Sequence, residues 1–469
     1  MGKGKNNEEL FRSMPVAQAI LTLAVPTVVS QIITIIYNMA DTFFIGQLGD
    51  PKQVAAATLA MPLFMFMTAL SNLFGVGGAS LISRFLGGGE REKASRCGAF
   101  CIWTAAAVSV LYGLMVLAGR PVLLPVLGAN EETCDMASSY LFWTIGLGAL
   151  PTVMNPVLAH LIRSEGYSRQ ASLGVAFGGI LNMVLDPLFI YGLHLQITGA
   201  AVATLISNAT AMIYFLAFIW KMRGVSVLTL SPEMYTLGEH IPAEVISVGM
   251  PSFLISMMGT VSNTVLNHII AGYSSVAVAG MGIAKKLNML AFAVGQGITQ
   301  GTLPLIGYNY TSGNKKRMLD AIRTLFVFSL AVALAIAVLL YIQAPAVSRL
   351  FINNSETVAY GCRFLRIICS ASPMTTMTFF ALTVFQATGK KRQPIILSML
   401  RKGTVDVPFM ILFNHLIGIR GVAWATPVAE VTSLMVAAAM VIPYIRKLAR
   451  MPETAGPVSE TKTCKSVGK

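Results

Sequence analysis

Residues 26–46 read PTVVSQIITIIYNMADTFFIG. The stretch is apolar and helix-length, with Pro26 at its start and a single carboxylate, Asp41, near its end. A run of roughly 20 apolar residues is what a bilayer crossing requires. An ionisable group inside such a run is unfavourable unless it is paired, hydrated or bound to a cation. Working outward, a second run, GGILNMVLDPLFIYG (178–192), carries Asn182 and Asp186 four residues apart. That spacing puts the amide and the carboxylate on one helix face. Asp41, Asn182 and Asp186 are therefore candidates for a coupling site, with the rest of the chain serving to move it.

The composition agrees with a membrane setting. Of 469 residues, 55% are hydrophobic and 12% charged, against about a quarter charged in soluble domains. Twelve apolar segments are expected at 16–46, 54–85, 94–119, 135–162, 171–192, 196–222, 242–271, 275–309, 318–348, 356–387, 394–415 and 419–445. No cleavable signal peptide is read at the N-terminus.

The net charge of +14 could suggest nucleic acid, but its distribution argues against that partner. With the N-terminus inside, 24 of the 34 Lys and Arg fall on the inner side and four outside: Lys52, Arg120, Arg349 and Arg420. This asymmetry predicts cytoplasmic N- and C-termini. The other six, Lys285, Lys286, Arg363, Arg366, Arg401 and Lys402, lie within spans. The six cysteines, Cys464 among them, have no metal-ligand spacing.

The two halves are related. Pro26 and Pro251 open the first span of each half, 225 residues apart. IRSEGYSRQ (162–170) aligns with FQATGKKRQ (385–393), and GAAVAT (199–204) with GVAWAT (421–426). Six spans per half give both repeats the same orientation, the parallel duplication of transporters that hold substrate between two rocking lobes. The expected organisation is an arm at 1–14, a first lobe at 15–222, a linker at 223–241, a second lobe at 242–448 and a tail at 449–469.

Within the spans, counting by the helical rise puts Asp41 roughly 8 Å, Asp186 about 9 Å, Thr204 about 12 Å and Asn182 about 15 Å from the outer ends. Four oxygen-bearing side chains at one depth suit a hard cation such as Na⁺, or one shared proton. Tyr37, one turn before Asp41, faces the same way. Pro26 removes one backbone hydrogen bond and offers a bend whose state follows the charge of Asp41. In the second half, Lys285, Lys286, Arg401, Asp406 and Glu430 lie at similar depth and are read as a buried charge network, structural in preference to functional. MPLFMFM (61–67) with Met257 and Met258 offers a flexible lining for lipophilic cations. The glycines of GVGGAS (75–80) serve close helix approach, and no phosphate-loop ending follows them.

YNMADTFFIGQ in span 1, LNMVLDP in span 5, GAAVAT in span 6 and RKGTVDVP in span 11 resemble the multidrug and toxic compound extrusion (MATE) family over residues 15–448. The pattern is similar to its DinF-like bacterial branch. The resemblance implies an all-α fold of twelve transmembrane helices in two six-helix lobes. It implies Asp41, Asn182, Asp186 and Thr204 as first-lobe cation-site residues and Pro26 as the bend. The NorM-like branch, with acids in spans 7 and 10, has no match here.

The function so implied is a secondary antiporter of the bacterial cytoplasmic membrane, expelling cationic lipophilic compounds in exchange for H⁺ or Na⁺. A monomer without cofactor or enzymatic activity is expected. The alternative from the same superfamily is a lipid-linked saccharide flippase, for which Lys285, Lys286 and Arg401 could line a cavity. A remote alternative is an intramembrane aspartyl protease using Asp41 and Asp186; the glycine pattern of such proteases is missing around both.

Overall fold

The computed structural model describes residues 9–349 and 355–450. The arm before residue 9 and the tail after residue 450, with Cys464, lie outside the described residues. Within them the chain is helical and contains no strand. In chain order the helices are α1 (Val16–Gly46), α2 (Pro51–Gly87), α3 (Arg91–Val126), α4 (Glu131–Leu147 and Ala149–Ser164), α5 (Ser168–Gly192) and α6 (Gln196–Lys221). The second half gives α7 (Ile241–Ala271), α8 (Ser275–Thr311), α9 (Lys315–Arg349), α10 (Ser355–Ala387), α11 (Arg392–Met399, Leu400–Thr404 and Asp406–Ile417) and α12 (Ile419–Arg450).

Ten of the described helices are long and apolar enough to cross a membrane. The two parts of α4, bent by 46° at Gly148, make an eleventh. The twelfth, α11, is interrupted by the wide turn Leu400–Thr404, around the charged residues Arg401, Lys402 and Asp406. Expected spans 7 and 10 each begin with a carboxylate after all: Glu244 and Glu356 stand in the first turns of α7 and α10. Acids favour that position because they face the positive end of the helix.

Local chemistry sets the helix ends. Asp50 caps α2, accepting from the Lys52 backbone N–H at 3.0 Å, and Asn130 forms a reciprocal cap with Thr133 at the start of α4. Such caps satisfy backbone donors that the first turn leaves without partners.

The two lobes meet through α1 and α2 on one side and α7 and α8 on the other. Glycines make the seam. A side chain at Gly249 of α7 would stand 1.9 Å from the Leu73 carbonyl oxygen, and one at Gly77 of α2 would stand 2.2 Å from that of Val245. Gly297 and Gly301, four residues apart on α8, admit the backbone of α1 at Val28 and Ala24. Small residues at helical spacing let backbones come this close.

Among the described residues, the hydrogen bonds between lobes run from Asn72–Ser256, at 3.0 Å near mid-height, to one end of the bundle. At that end Arg84 meets Glu244 at 3.4 Å, Lys391 meets the same carboxylate at 2.5 Å, and Ser80 donates to the Gln386 carbonyl at 2.6 Å. The chain before α1 joins this closed end. Phe11 stacks on Tyr308, and Arg317 donates to the carbonyls of Phe11 and Leu10.

The segment between the lobes packs on the first lobe instead of running free. The buried Glu165 carboxylate accepts from the Ser226 hydroxyl and from the backbone N–H groups of Val227 and Leu228. Leu228 fills the notch left by Gly98, and Arg96 pairs with Glu239 at 2.5 Å.

Candidate cation-coupling site

The first-lobe site is assembled from α1, α4, α5 and α6. Asp186 is fully buried and Asn182 is 2% exposed. Asn182 Nδ2 donates to Asp186 Oδ1 at 3.2 Å and approaches Thr204 Oγ1 at 3.5 Å. Asp41 of α1 lies within electrostatic reach of Asp186. The structure thus brings together the four residues read from sequence as a cation site. Tyr37 lays its ring on Gly179, one turn before Asn182, where a methyl group would come within 2.8 Å of it.

Three buried oxygens of this cluster have no hydrogen-bond donor: Asp41 Oδ1, Asp186 Oδ2 and Asn182 Oδ1. Buried acceptors are satisfied almost everywhere in proteins, so three together from two helices make this cluster the candidate place for a cation or a proton. Two carboxylates, an amide oxygen and a hydroxyl are the hard oxygen donors that Na⁺ prefers. They would equally hold one proton between the carboxylates.

Sequence reasoning missed Tyr140 of α4, which lies within electrostatic reach of both Asp41 and Asp186. It is a lone tyrosine in an amphiphilic stretch, and nothing in its local pattern marks it. Also missed is a polar column beside the site: Asn155 donates to Asn208 at 2.9 Å, and Asn208 to Thr152 at 3.2 Å. The asparagines and Thr152 were visible as polar residues in apolar helices, but their convergence is a tertiary fact.

Pro26 sits within a continuous α1. The Thr27 hydroxyl bonds back to the Leu23 carbonyl, and Ser30 receives the buried Arg163 guanidinium of α4 at 3.1 Å. The proline step is therefore tied to α4 on one side and seated on Gly297 and Gly301 of α8 on the other.

The expected second-lobe network divides into two units. Arg401 donates to both oxygens of Glu430, at 2.8 and 3.1 Å, with both side chains buried. Its guanidinium also lies over the rings of Phe379 and Phe292, at 4.4 and 5.4 Å. Asp406 is held separately, by Lys402, Ser262 and Thr426, with Lys285 in electrostatic reach. Lys286 makes no hydrogen bond or ion pair with either unit among the described residues. Of the methionine and aromatic lining, Phe66 meets Phe253 edge-on across the seam at 5.9 Å, and Met258 packs against Gly403.

The MatE family profile matches the chain twice, over residues 26–188 and 251–412, one match in each lobe. The chain belongs to the MATE family. Among curated relatives of this family member, the multidrug export protein MepA of Staphylococcus saprophyticus is 30% identical over 435 residues, covering 93% of this chain and 95% of its own. MepA of Staphylococcus aureus is 30% identical over 442 residues, with the same coverage. Among solved structures, a MATE in the straight conformation superposes with a TM-score of 0.88 at 25% identity, covering 94% of this chain and 99% of that one. A multidrug resistance MATE transporter in the outward-facing conformation gives 0.86 at 25% identity, with 94% and 98% covered. These relatives are transporters, not enzymes, and with the apolar helices they establish a multi-pass membrane protein of the MATE fold.

Proposed function

We propose that the protein is a secondary antiporter that exports cationic lipophilic compounds in exchange for H⁺ or Na⁺, with the coupling cation held in the first lobe by Asp41, Asn182, Asp186 and Thr204. The observation that carries this reading is the set of three buried oxygens without donors on Asp41, Asp186 and Asn182. The MepA relatives, named as multidrug export proteins, support export of small molecules.

The charge asymmetry of the loops supports cytoplasmic termini. The sealed end with Arg84, Glu244 and Lys391 is then the cytoplasmic one, and the half of the seam without hydrogen bonds between the lobes among the described residues faces outward. In that state the two carboxylates take up H⁺ or Na⁺ from outside, which neutralises the pair and changes what α1 packs against. Pro26 lets α1 settle into a second geometry, and the lobes exchange their closed end. That a MATE has been solved both straight and bent supports such an exchange. Residues 15–222 and 242–448 act as the moving lobes, joined by 223–241, in a monomer. The DinF-like branch, with its first-lobe site, fits this assignment. The buried Arg401 is engaged by Glu430 and Lys402 by Asp406, which ties up two of the bases that a flippase for anionic lipids would need.

The test is efflux of a lipophilic cationic dye from proteoliposomes under an imposed Na⁺ gradient or an imposed pH gradient, each applied alone. One gradient should drive dye movement, and dissipating it should stop that movement. Dye movement indifferent to both gradients would overturn the antiport reading.

A further inference from the structure

The internal repeat places the second-lobe cluster in register with the first. An offset of 220 residues relates Asn182 to Lys402 and Asp186 to Asp406, and one of 222 relates Thr204 to Thr426. One contact corresponds directly, and the threonine contact falls on the other member of the pair. Asn182 donates to Asp186 at 3.2 Å and Lys402 donates to Asp406 at 3.3 Å. Thr204 is 3.5 Å from Asn182, and Thr426 is 3.4 Å from Asp406. By the offset of 225 that relates the two prolines, Tyr37 corresponds to Ser262 and Asp41 to Leu266.

The difference lies in how the carboxylate is satisfied. Asp186 Oδ2 has no donor. Asp406 Oδ2 receives the Ser262 hydroxyl at 2.6 Å and the Lys402 ammonium, and its Oδ1 receives Thr426. The first cluster holds two acids and no base. The second holds one acid and an ammonium, with the Lys285 ammonium nearby.

We propose that the second lobe carries a degenerate copy of the cation site in which the Lys402 ammonium is a tethered cation. It takes beside Asp406 the place that a mobile monovalent cation takes beside Asp186. The second-lobe site is thereby held in a permanently loaded state, and removing the ammonium would open a second cation site formed by Asp406, Ser262 and Thr426. The charged groups facing Asp406 are Lys402 from α11 and Lys285 from α8. The facing groups of α7 and α12 are the two hydroxyls, and Glu430 of α12 is occupied by Arg401.

The inference rests on the first-lobe reading, and the experiment separates the two. The purified full-length protein in detergent is melted across a Na⁺ titration, with choline replacing Na⁺, and separately across a pH series. Wild type against Asp186→Asn reports on the first lobe alone. In the Asp186→Asn background, Lys402→Asn installs the first-lobe residue, and Lys285→Met/Lys402→Asn also removes the neighbouring ammonium. At least one of these should gain a saturable rise in Tm with Na⁺ or with acid, and adding Asp406→Asn should abolish it. A gained response without any wild-type response would sink the first-lobe reading and leave this one standing. Melting indistinguishable from Asp186→Asn in both titrations would overturn the tethered-cation proposal. So would failure of every Lys402→Asn protein to fold in any Na⁺ or acid, because a free cation would then be unable to replace the ammonium. In the same Asp186→Asn background, Lys402→Met/Asp406→Asn, which leaves that pair uncharged, should fold and stay insensitive to Na⁺; its failure to fold would mean that Lys402 acts by packing, and would also overturn the proposal.

Discussion

In the first lobe Asp186 accepts a single hydrogen bond, from Asn182, and one of its oxygens has no donor although the side chain is fully buried. In the second lobe Asp406, 1% exposed, accepts from Ser262, Lys402 and Thr426, and one turn away the Arg401 Nε–H is shared by both oxygens of Glu430. The helical frames are repeats of one another, and both carry a buried aspartate at the equivalent place. What differs is whether the compensating positive charge is covalently attached. A site whose counter-charge must come from solution can be loaded and unloaded, and can therefore do work. One whose counter-charge is a side chain is fixed and contributes rigidity. On the proposed assignment, charge balance, more than helix geometry, would divide the labour between the lobes.

The strongest way to break this comparison is Glu430→Gln. It leaves the Arg401 guanidinium buried without its carboxylate, a loss on the order of 3–5 kcal/mol for a buried pair. Thermal stability in detergent should fall markedly while transport per folded molecule falls less. Unchanged stability with transport gone would make the second lobe a working site. Next come Asp41→Asn and Asp186→Asn, which remove the acceptors of the mobile cation. Each should remove about 1–3 kcal/mol of coupling, roughly 5–150-fold in gradient-driven efflux, with the melting temperature retained or raised. Wild-type efflux by either variant in proteoliposomes would end the coupling-site reading.

Pro26→Ala sharpens the comparison by asking whether α1 carries the signal. Restoring one backbone hydrogen bond favours the straight helix by about 1 kcal/mol, roughly fivefold in the equilibrium between two forms. Fluorophores placed across the sealed ends of the two lobes should report slower and smaller opening when pH or Na⁺ is stepped. Dye binding should survive, since no acceptor is lost. An undiminished transition would make Pro26 a static kink.

The smallest effect is expected at Glu165, in the loop after α4 and away from both clusters. Burial raises its pKa above the ordinary 4.5, and the hydrogen bonds from Ser226, Val227 and Leu228 offset this only in part. The folded chain then binds that proton more tightly than the unfolded chain does, so this group's contribution to stability declines as pH rises from about 4.5 through the folded value. Glu165→Gln keeps an acceptor for the two backbone N–H groups and should flatten that slope with a change below about 1 kcal/mol. Melting curves from pH 4.5 upward check it, and an unaltered slope would assign the pH dependence elsewhere.

Much of this was legible in the chain itself. Apolar runs of span length, the paired prolines Pro26 and Pro251, and the GAAVAT/GVAWAT match report helices and their duplication, because those features depend only on local composition and order. Asp41, Asn182 and Asp186 stood out because an isolated acid in an apolar helix is unfavourable and needs a reason. The partners did not stand out. Tyr140 joins the site from α4, a different helix from the acids it faces. Lys402, and not Lys286, meets Asp406. Arg401 reaches Glu430 and the two phenylalanine rings from within the wide turn Leu400–Thr404. The linker expected at 223–241 is pinned by Glu165. Sequence fixes which residues lie on a helix and at what depth, since both follow from a constant rise per residue. Which way each helix is rotated, where its turns widen, and therefore which charges meet, is decided only when twelve helices pack against one another.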